Sequence, residues 1–455
     1  MTGGAIRKAI APAYLFLCLL LGGSSQGAWG NALLQILAVS IIAWLALDAK
    51  GASLPRSARP LAMILGAALL LVALQLIPFP PAIWTAFPGR GMVAEGRELL
   101  GLGPGWSSIS LAPYESFTTP FALLPPIALF LAVVRWGRGA ESWLAAALIT
   151  GTFLGILLGL PQVLGGKLAT NPWHFYERSN FGYATGFFAN KNHMASLLLV
   201  ALPFIVALGS IAAEATKDAR KRYSVTALTT GGIGVLVVGL ALNKSMAGLG
   251  LLLPVSIASI WMVRRAPPML RLAVAGFGAA AFIAFLTILF TPLGERLAPA
   301  GSSDSLSSRQ EILSKSIGAV KEFGPVGSGL GTFEKVYPLF ENPDTVGRTY
   351  INHAHNDYVE LTVELGVAGV ILIALFLFWW SASVKNMLAA PNASLFAKAG
   401  AIGSAAILLH SAVDYPLRTA GMTSVFALCL AMVLISRTTA RSSKDFREAR
   451  HLVIE

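Results

Sequence analysis

Charged residues are scarce in this chain. Asp, Glu, Lys and Arg make up 12% of its 455 residues, where a soluble protein of that size carries about a quarter. The deficit excludes an ordinary water-soluble domain and places the chain among membrane proteins, in line with 55% hydrophobic residues and a mean hydropathy of +0.68. Cysteine is almost absent. Cys18 and Cys429 both lie inside apolar runs, which leaves no disulfide framework and no cysteine metal site; both read as small core or lipid-facing side chains. There is no internal repeat and no low-complexity tract.

What the chain does have is a series of apolar blocks of about 16–22 residues, the length a bilayer-spanning helix needs. Hydropathy and length predict about twelve spans, near 9–22, 32–47, 61–77, 117–134, 143–164, 194–213, 224–242, 247–262, 271–290, 363–380, 398–414 and 419–436. The first, preceded by Arg7 and Lys8, resembles a signal peptide but lacks a clear small-x-small cleavage site, and it reads as the first transmembrane helix. The expected fold class is therefore an all-α polytopic membrane protein. Residues 1–436 form a single transmembrane domain and 437–455 a cytoplasmic basic tail.

Net charge is +12 with a pI near 9.8. In a soluble protein this would suggest nucleic acid, but here the basic residues sit in short connections between spans. If the N-terminus is cytoplasmic, the inside segments hold Arg7 and Lys8; Lys50, Arg56 and Arg59; Arg135 and Arg138; Lys217 and Arg220–Arg222; Arg264, Arg265 and Arg271; Lys385 and Lys398; and five basic residues of the tail. That is about 21 of the 34 Lys and Arg, the distribution by which membrane proteins set their orientation. Both ends are expected inside, the bilayer is the expected surroundings, and nucleic acid is not an expected partner.

Three outside connections are long. Residues 78–116 are rich in Pro, Gly and Trp. Residues 165–193 carry Trp173, His174, Arg178, Lys191 and His193. Residues 291–362 hold Arg309, Arg348, His353 and His355, and a connection of that length is unusual without structure or function of its own. Ser308 and Glu311 have capping-box spacing, and Leu313, Ile317 and Val320 follow at helical spacing, predicting an amphipathic helix over 308–322 that Gly324 and Pro325 end. Gly327, Gly329 and Gly331 then suggest a flexible turn, without the βαβ context of a dinucleotide site.

The densest chemistry is Asn352-His353-Ala354-His355-Asn356-Asp357-Tyr358, where the longest connection meets the next span. Asp357 and Glu360 have capping-box spacing, so a helix is expected to begin there. Its N-terminus would disfavour imidazolium at His355 and keep the ring able to accept a proton. The same histidines also fit a plain interfacial role, satisfying loop carbonyls, and a His-x-His zinc site lacks an evident third ligand. Arg309 falls in the first turn of the predicted amphipathic helix, where a cation opposes the dipole at a cost of about 0.3–1 kcal/mol. That position suggests a role other than stability, though an ordinary surface arginine fits as well. Arg178, Lys191 and Lys244 are the other outside cations near span ends. Several cations on one face suit a diphosphate; simple snorkelling to the interface is the alternative.

In this order the motifs resemble the O-antigen ligase family, which includes O-antigen and exopolysaccharide polymerases. His355-Asn356 is followed by Gly366 and Gly369 at the ligase spacing. Arg309, the Gly327-x-Gly329-x-Gly331-Thr332-Phe333 turn and the stretch from Ala184 to His193 occur in the family's order. His410-Ser411-Ala412-Val413-Asp414-Tyr415-Pro416-Leu417-Arg418 is similar to exopolysaccharide polymerase members in particular. Val370-Ile371-Leu372 stand where the ligases carry Thr-x-Asn, and Ser245-Met246 where many members carry Ser-Arg, with Lys244 beside it as a substitute charge.

The resemblance implies a GT-C-like glycosyltransferase of a bacterial inner membrane, with its active site facing the periplasm. The donor would be an oligosaccharide on undecaprenyl diphosphate. The acceptor would be a glycan or lipid A-core, and other polysaccharide-assembly proteins would be partners. The reaction would be inverting and metal-independent, with no cofactor. Within it His355, with His353 second, would be the base. Arg309 and Arg178, then Lys191 and Lys244, would hold the diphosphate, and Asn356 and Asp357 would orient the loop. A transporter or flippase for the same lipid-linked precursor is the competing expectation; repeats and charges deep within spans would favour it.

Overall fold

The computed structural model describes residues 3–48, 54–167, 171–263, 267–290, 302–343 and 351–451. Lys50, Arg264, Arg265 and Arg348 lie outside the described residues, as does 291–301 of the longest connection. The fold is helical. Its helices are α1 (Gly3–Leu21), α2 (Ala28–Leu47), α3 (Arg59–Leu76), the short α4 (Pro81–Trp84), α5 (Gly91–Leu99), α6 (Pro113–Thr118), α7 (Leu124–Trp136), α8 (Glu141–Leu164), α9 (Lys191–Glu214), α10 (Ala219–Asn243), α11 (Met246–Met262), α12 (Pro268–Phe290), α13 (Ser302–Phe323), the short α14 (Phe333–Val336), α15 (Asp357–Leu388), α16 (Leu395–His410) and α17 (Ala420–His451). Among the described residues the only sheet is a two-residue antiparallel pair, β1 (Pro78–Phe79) with β2 (Ser107–Ser108). Among the described residues eight helices are long and apolar enough to cross a membrane, and Met246–Met262, Leu395–His410 and Ala420–Ile435 are shorter apolar helices.

The centre of the bundle is α9, most of which is buried by its neighbours. Without water between apolar helices, close packing has to come from small side chains. The sequence of α16, Ala-Lys-Ala-Gly-Ala-Ile-Gly-Ser-Ala-Ala, supplies them. A Cβ on Gly403 would meet Cys429 and Val200, and one on Gly400 would strike the Cys429 carbonyl at 2.6 Å. The two cysteines are free and buried in this core.

The helix α1 runs between the two ends of the bundle. At one, Arg7 pairs with Asp48 at 2.9 Å and Trp136 Nε1 donates to the same carboxylate at 2.8 Å. At the other, Gly421 N donates to the Gly22 carbonyl at 2.8 Å, where α17 begins. The long connections meet at this second end. Leu111 N donates to Ser328 O at 2.8 Å, Ser116 Oγ to Leu330 O at 2.6 Å, and the buried Arg90 to Gly327 O at 2.7 Å.

Four local expectations are corrected. The helix α13 starts at Ser302, not 308, so Ser308 is inside it. Arg309 is two turns in, beyond the reach of the terminal dipole, and Glu311 pairs with Lys315 at 2.6 Å rather than capping. The cap of α15 is Asn356, whose Oδ1 accepts from Tyr358 N and Val359 N at 3.0 and 3.1 Å, not Asp357. The helix α9 begins at Lys191, which puts Lys191 and His193 in its first turn rather than in the preceding connection.

The glycine turn, finally, is not loose. Gly329 N donates to Glu364 O and Val367 N to Pro325 O, both at 2.9 Å. These bonds satisfy backbone groups that α15 loses where it breaks at Gly366 (φ 61°, ψ −147°). A Cβ on Gly366 would sit 2.0 Å from the Pro325 carbonyl oxygen. The glycine of the His-Asn-x9-Gly pattern is therefore fixed by backbone sterics.

Candidate functional site

Between α16 and α17 the chain makes a short turn, 411–419, and Asp414 sits in it with its side chain 1% exposed. Its carboxylate collects groups from four parts of the chain. Asn192 Nδ2 of α9 donates to Oδ2, and Asn190 Nδ2, from the cap of α9, to Oδ1 at 3.4 Å. Arg309 Nη2 of α13 stands 3.4 Å from Oδ2, and His355 Nδ1 4.0 Å from it. Asn192 is itself oriented, since its Oδ1 accepts from Ser245 Oγ at 2.8 Å. Burial alone would raise the Asp414 pKa, but His355, Arg309, His193 and His410 around it hold it below the ordinary carboxylate value. The group is an anion in a positive surround.

His355 adopts φ 51°, a left-handed conformation uncommon for a residue with a side chain. The backbone there is set by the Asn356 cap and by Asp357 N donating to Ser411 O at 2.9 Å. Burial pushes its pKa down, with Arg309 and His353 adding to the shift and Asp414 opposing it. The ring is thus held towards the neutral form, with burial the largest cause. Its Nδ1 is buried with no hydrogen-bond partner.

His353 is held differently. Its Nδ1 lies 2.8 Å from Glu360 Oε1, and the other oxygen of Glu360 accepts from Ala354 N at 2.8 Å. An ionised carboxylate can only accept, so Nδ1 is the donor and carries a proton. Glu360 is in turn 3.3 Å from Arg418, which also reaches Asp357 and Glu364 at 3.4 Å each. Burial would lower the Arg418 pKa; the three carboxylates drive it above its ordinary value. Tyr415 stands among three imidazoles, with ring centroids 4.2 Å from His353, 5.0 Å from His355 and 5.2 Å from His193. Among the described residues no group of three His, Cys, Asp or Glu is arranged to hold a metal ion.

The cations from the sequence divide. Arg309 is at Asp414. Lys191 is next to it in space: its Nζ lies 3.9 Å from the centre of the Tyr183 ring, donates to Lys244 O at 3.3 Å, and feels Arg309, Lys244 and Lys167 electrostatically. Lys244 caps α10 in a left-handed conformation, φ 55°, with an exposed side chain. Arg178 is exposed on the segment before α9. Asn356 and Asp357 tie the histidine segment to the 411–418 turn, through Asn356 Nδ2 to Ala412 O at 2.9 Å and Ser411 Oγ to Asp357 Oδ2 at 2.8 Å.

Sequence reasoning quoted Asp414, Tyr415 and Arg418 inside a motif but gave them no role, gave Glu360 only a capping one, and gave none to Asn192, His193, Glu364 or His410. A usable signal was present: an acid, an aromatic and an arginine in a tight turn between two apolar helices are costly to bury unless paired. Glu360 and Glu364 stand in the first turns of α15, and Arg418 pairs with both.

A search of curated proteins finds no match to this chain. Residues 231–374 match the family model described as O-antigen ligase. That stretch runs from the middle of α10 into α15, past the break at Gly366. It carries Lys244, Arg309, His353, His355, Asn356 and Asp357, and leaves Lys191 and the 411–418 turn outside. Over residues 231–374 the chain is similar to the O-antigen ligase family, and its apolar helices make it a membrane protein of the multi-pass type.

Proposed function

We propose that this protein is an inner-membrane glycosyltransferase that transfers or polymerises undecaprenyl-diphosphate-linked glycans at the extracytoplasmic face of the bilayer. In this reading the chain crosses the membrane about twelve times in a GT-C-like arrangement, with both termini cytoplasmic and the Asp414 end facing the periplasm. The observation that carries it is the meeting of His355 and Arg309 on one buried carboxylate, with Lys191 and Lys244 beside them.

A sugar hydroxyl is a poor nucleophile and needs a positioned base. His355, kept neutral, takes the hydroxyl proton, and Asp414 stabilises the imidazolium that results. The oxygen attacks the anomeric carbon from the face opposite the diphosphate, the carbon–oxygen bond to the diphosphate breaks, and the anomeric configuration inverts. The diphosphate leaves without needing a proton; what it needs is fixed positive charge. Arg309 and Lys191 supply it nearest the site, with Lys244 and Arg178 at the periphery. The chain's own cations do the work of charge stabilisation, so the scheme calls for no metal. His353, with its tautomer fixed by Glu360, is the second base candidate, and Asn356 and Asp357 hold both histidines to the 411–418 turn.

The test is transfer in vitro by the purified full-length protein from a lipid-diphosphate glycan, comparing the natural chain with His355→Ala and Arg309→Ala. Both variants should bind lipid-linked donor and fail to transfer. Full activity in both refutes the assignment, and movement of intact donor across vesicles without any new glycosidic bond would identify a transporter. Product analysis separates polymer growth from transfer to lipid A-core.

A further inference from the structure

The Pro-, Gly- and Trp-rich connection 78–116 has no part in the site chemistry, yet it builds a helix that no other described part of the chain covers. That helix, α5, has no buried residue along its nine. At 100° per residue Met92, Val93, Leu99 and the capping Leu100 share one arc of about 120°, Glu95 and Arg97 flank that arc, and Glu98 projects from the opposite side. Leu99 is 82% exposed and Leu100 74%, with Met92 and Val93 also open. Side chains of this size on one face of a helix require an apolar surface to rest against.

The position of the helix identifies that surface. The start of α5 is fixed by Arg90, whose fully buried side chain donates to Pro88 O and Gly327 O at 2.7 Å each. The end of α5 lies beside 105–106, since the Arg97 guanidinium is 3.2 Å from where a Cβ on Gly105 would stand. That stretch is pinned in turn by Trp84 Nε1 donating to Gly105 O at 2.9 Å, and by the pairing of Ser107 with Phe79 and Ser108 with Pro78 directly beyond the end of α3. Trp106, 67% exposed, therefore sits at the rim of α3.

The helix α3 is a candidate span whose own outward side chains, Leu70, Leu74 and Ile77 among them, are open along its length. The lipid-facing strip of α3 thus continues through Ile77 and Trp106 onto the apolar arc of α5. An exposed tryptophan at the end of a span is what the headgroup boundary favours.

We propose that α5 lies in the interfacial layer of the bilayer on the side that carries Asp414, its Met92–Leu99–Leu100 arc in the acyl boundary, Glu98 in water and Glu95 and Arg97 at the headgroup level between. The partner is the phospholipid surface itself. With two acids and one arginine on the helix, its seating rests on apolar area and not on attraction to anionic headgroups.

The experiment uses full-length protein reconstituted in vesicles of phosphatidylcholine with a quarter part phosphatidylglycerol. Single cysteines are introduced by Leu100→Cys, Val93→Cys and Glu98→Cys and labelled with a nitroxide; the buried Cys18 and Cys429 give the unlabelled background. The labels at 100 and 93 should relax severalfold more with oxygen than with a water-soluble nickel chelate, the label at 98 should show the reverse, and both patterns should persist at high salt. A label at 100 or 93 as open to nickel as the one at 98 would overturn the proposal. So would shielding from both reagents, which would assign the face to a second copy or another protein. The readout does not depend on any transferase activity.

Discussion

Asp48 and Asp414 are both buried carboxylates at an end of the same bundle, and they are used differently. Asp48 meets one arginine and one indole N–H at 2.9 and 2.8 Å, fastening α1, α2 and α7 together. Asp414 accepts from neutral donors, Asn192 and, at 2.8 Å, Tyr415 N, but its guanidinium partner, Arg309, stands at 3.4 Å and the neutral His355 ring at 4.0 Å, too long for strong charge-assisted bonds. Around it, His355 Nδ1, both ring nitrogens of His193 and His410 Nε2 are buried with no hydrogen-bond partner among the described residues. A carboxylate clasped at short range by matched donors is a fastening. One surrounded by more positive and polar capacity than it uses has that capacity directed at something else.

The contrast can be broken by experiment. His355→Ala should lower transfer by about 10²–10⁴-fold, the usual worth of a positioned base, with no change in thermal unfolding; a comparable loss from Asp48→Asn would erase the distinction between the ends. Arg309→Ala should cost about 10²–10³-fold, as loss of one fixed charge on a developing anion does, measured in the same assay. Arg418→Ala should act on folding, because it strands Asp357, Glu360 and Glu364; about 3–5 kcal/mol is expected, read as a large drop in Tm, and Arg418→Lys should restore only part of it because an ammonium cannot fork to three acids. Asp48→Asn should cost about 1–3 kcal/mol of stability and leave turnover at low temperature intact.

The finest distinction is in pH. His355 is held below its ordinary value of 6.5, so the neutral ring dominates near neutrality and activity falls only as the pH drops through that lowered pKa. Arg309→Gln removes a cation that depresses it and should move the acid limb up. Asp414→Asn removes the opposing anion and should move it down. Shifts of the same sign in both pH–rate profiles would exclude His355 as the titrating base.

Much of this was legible in the sequence for physical reasons. Apolar runs long enough to span a bilayer have to be helices there, and the histidine segment was marked by its dense polarity at a span end. What escaped was pairing across distance. Asp414 lies more than a hundred residues from Arg309 and more than two hundred from Asn192, and periodicity carries no information on which turn closes over which helix. The flexible reading of 327–331 failed for a related reason: glycines chosen for φ of 78–114° look like looseness until the backbone they press against is known.

The break at Gly366 has a mechanical consequence. A continuous rod through the bilayer transmits any tilt imposed by changing lipid thickness along its whole length. Here Val363 and Glu364 before the break, and Val367 just after it, are hydrogen-bonded to the 325–329 turn, and the helix is interrupted between them at Gly366. Adjustment of the lower segment to a thicker or thinner membrane is absorbed at that break, and the histidine rim keeps its register with the layer above.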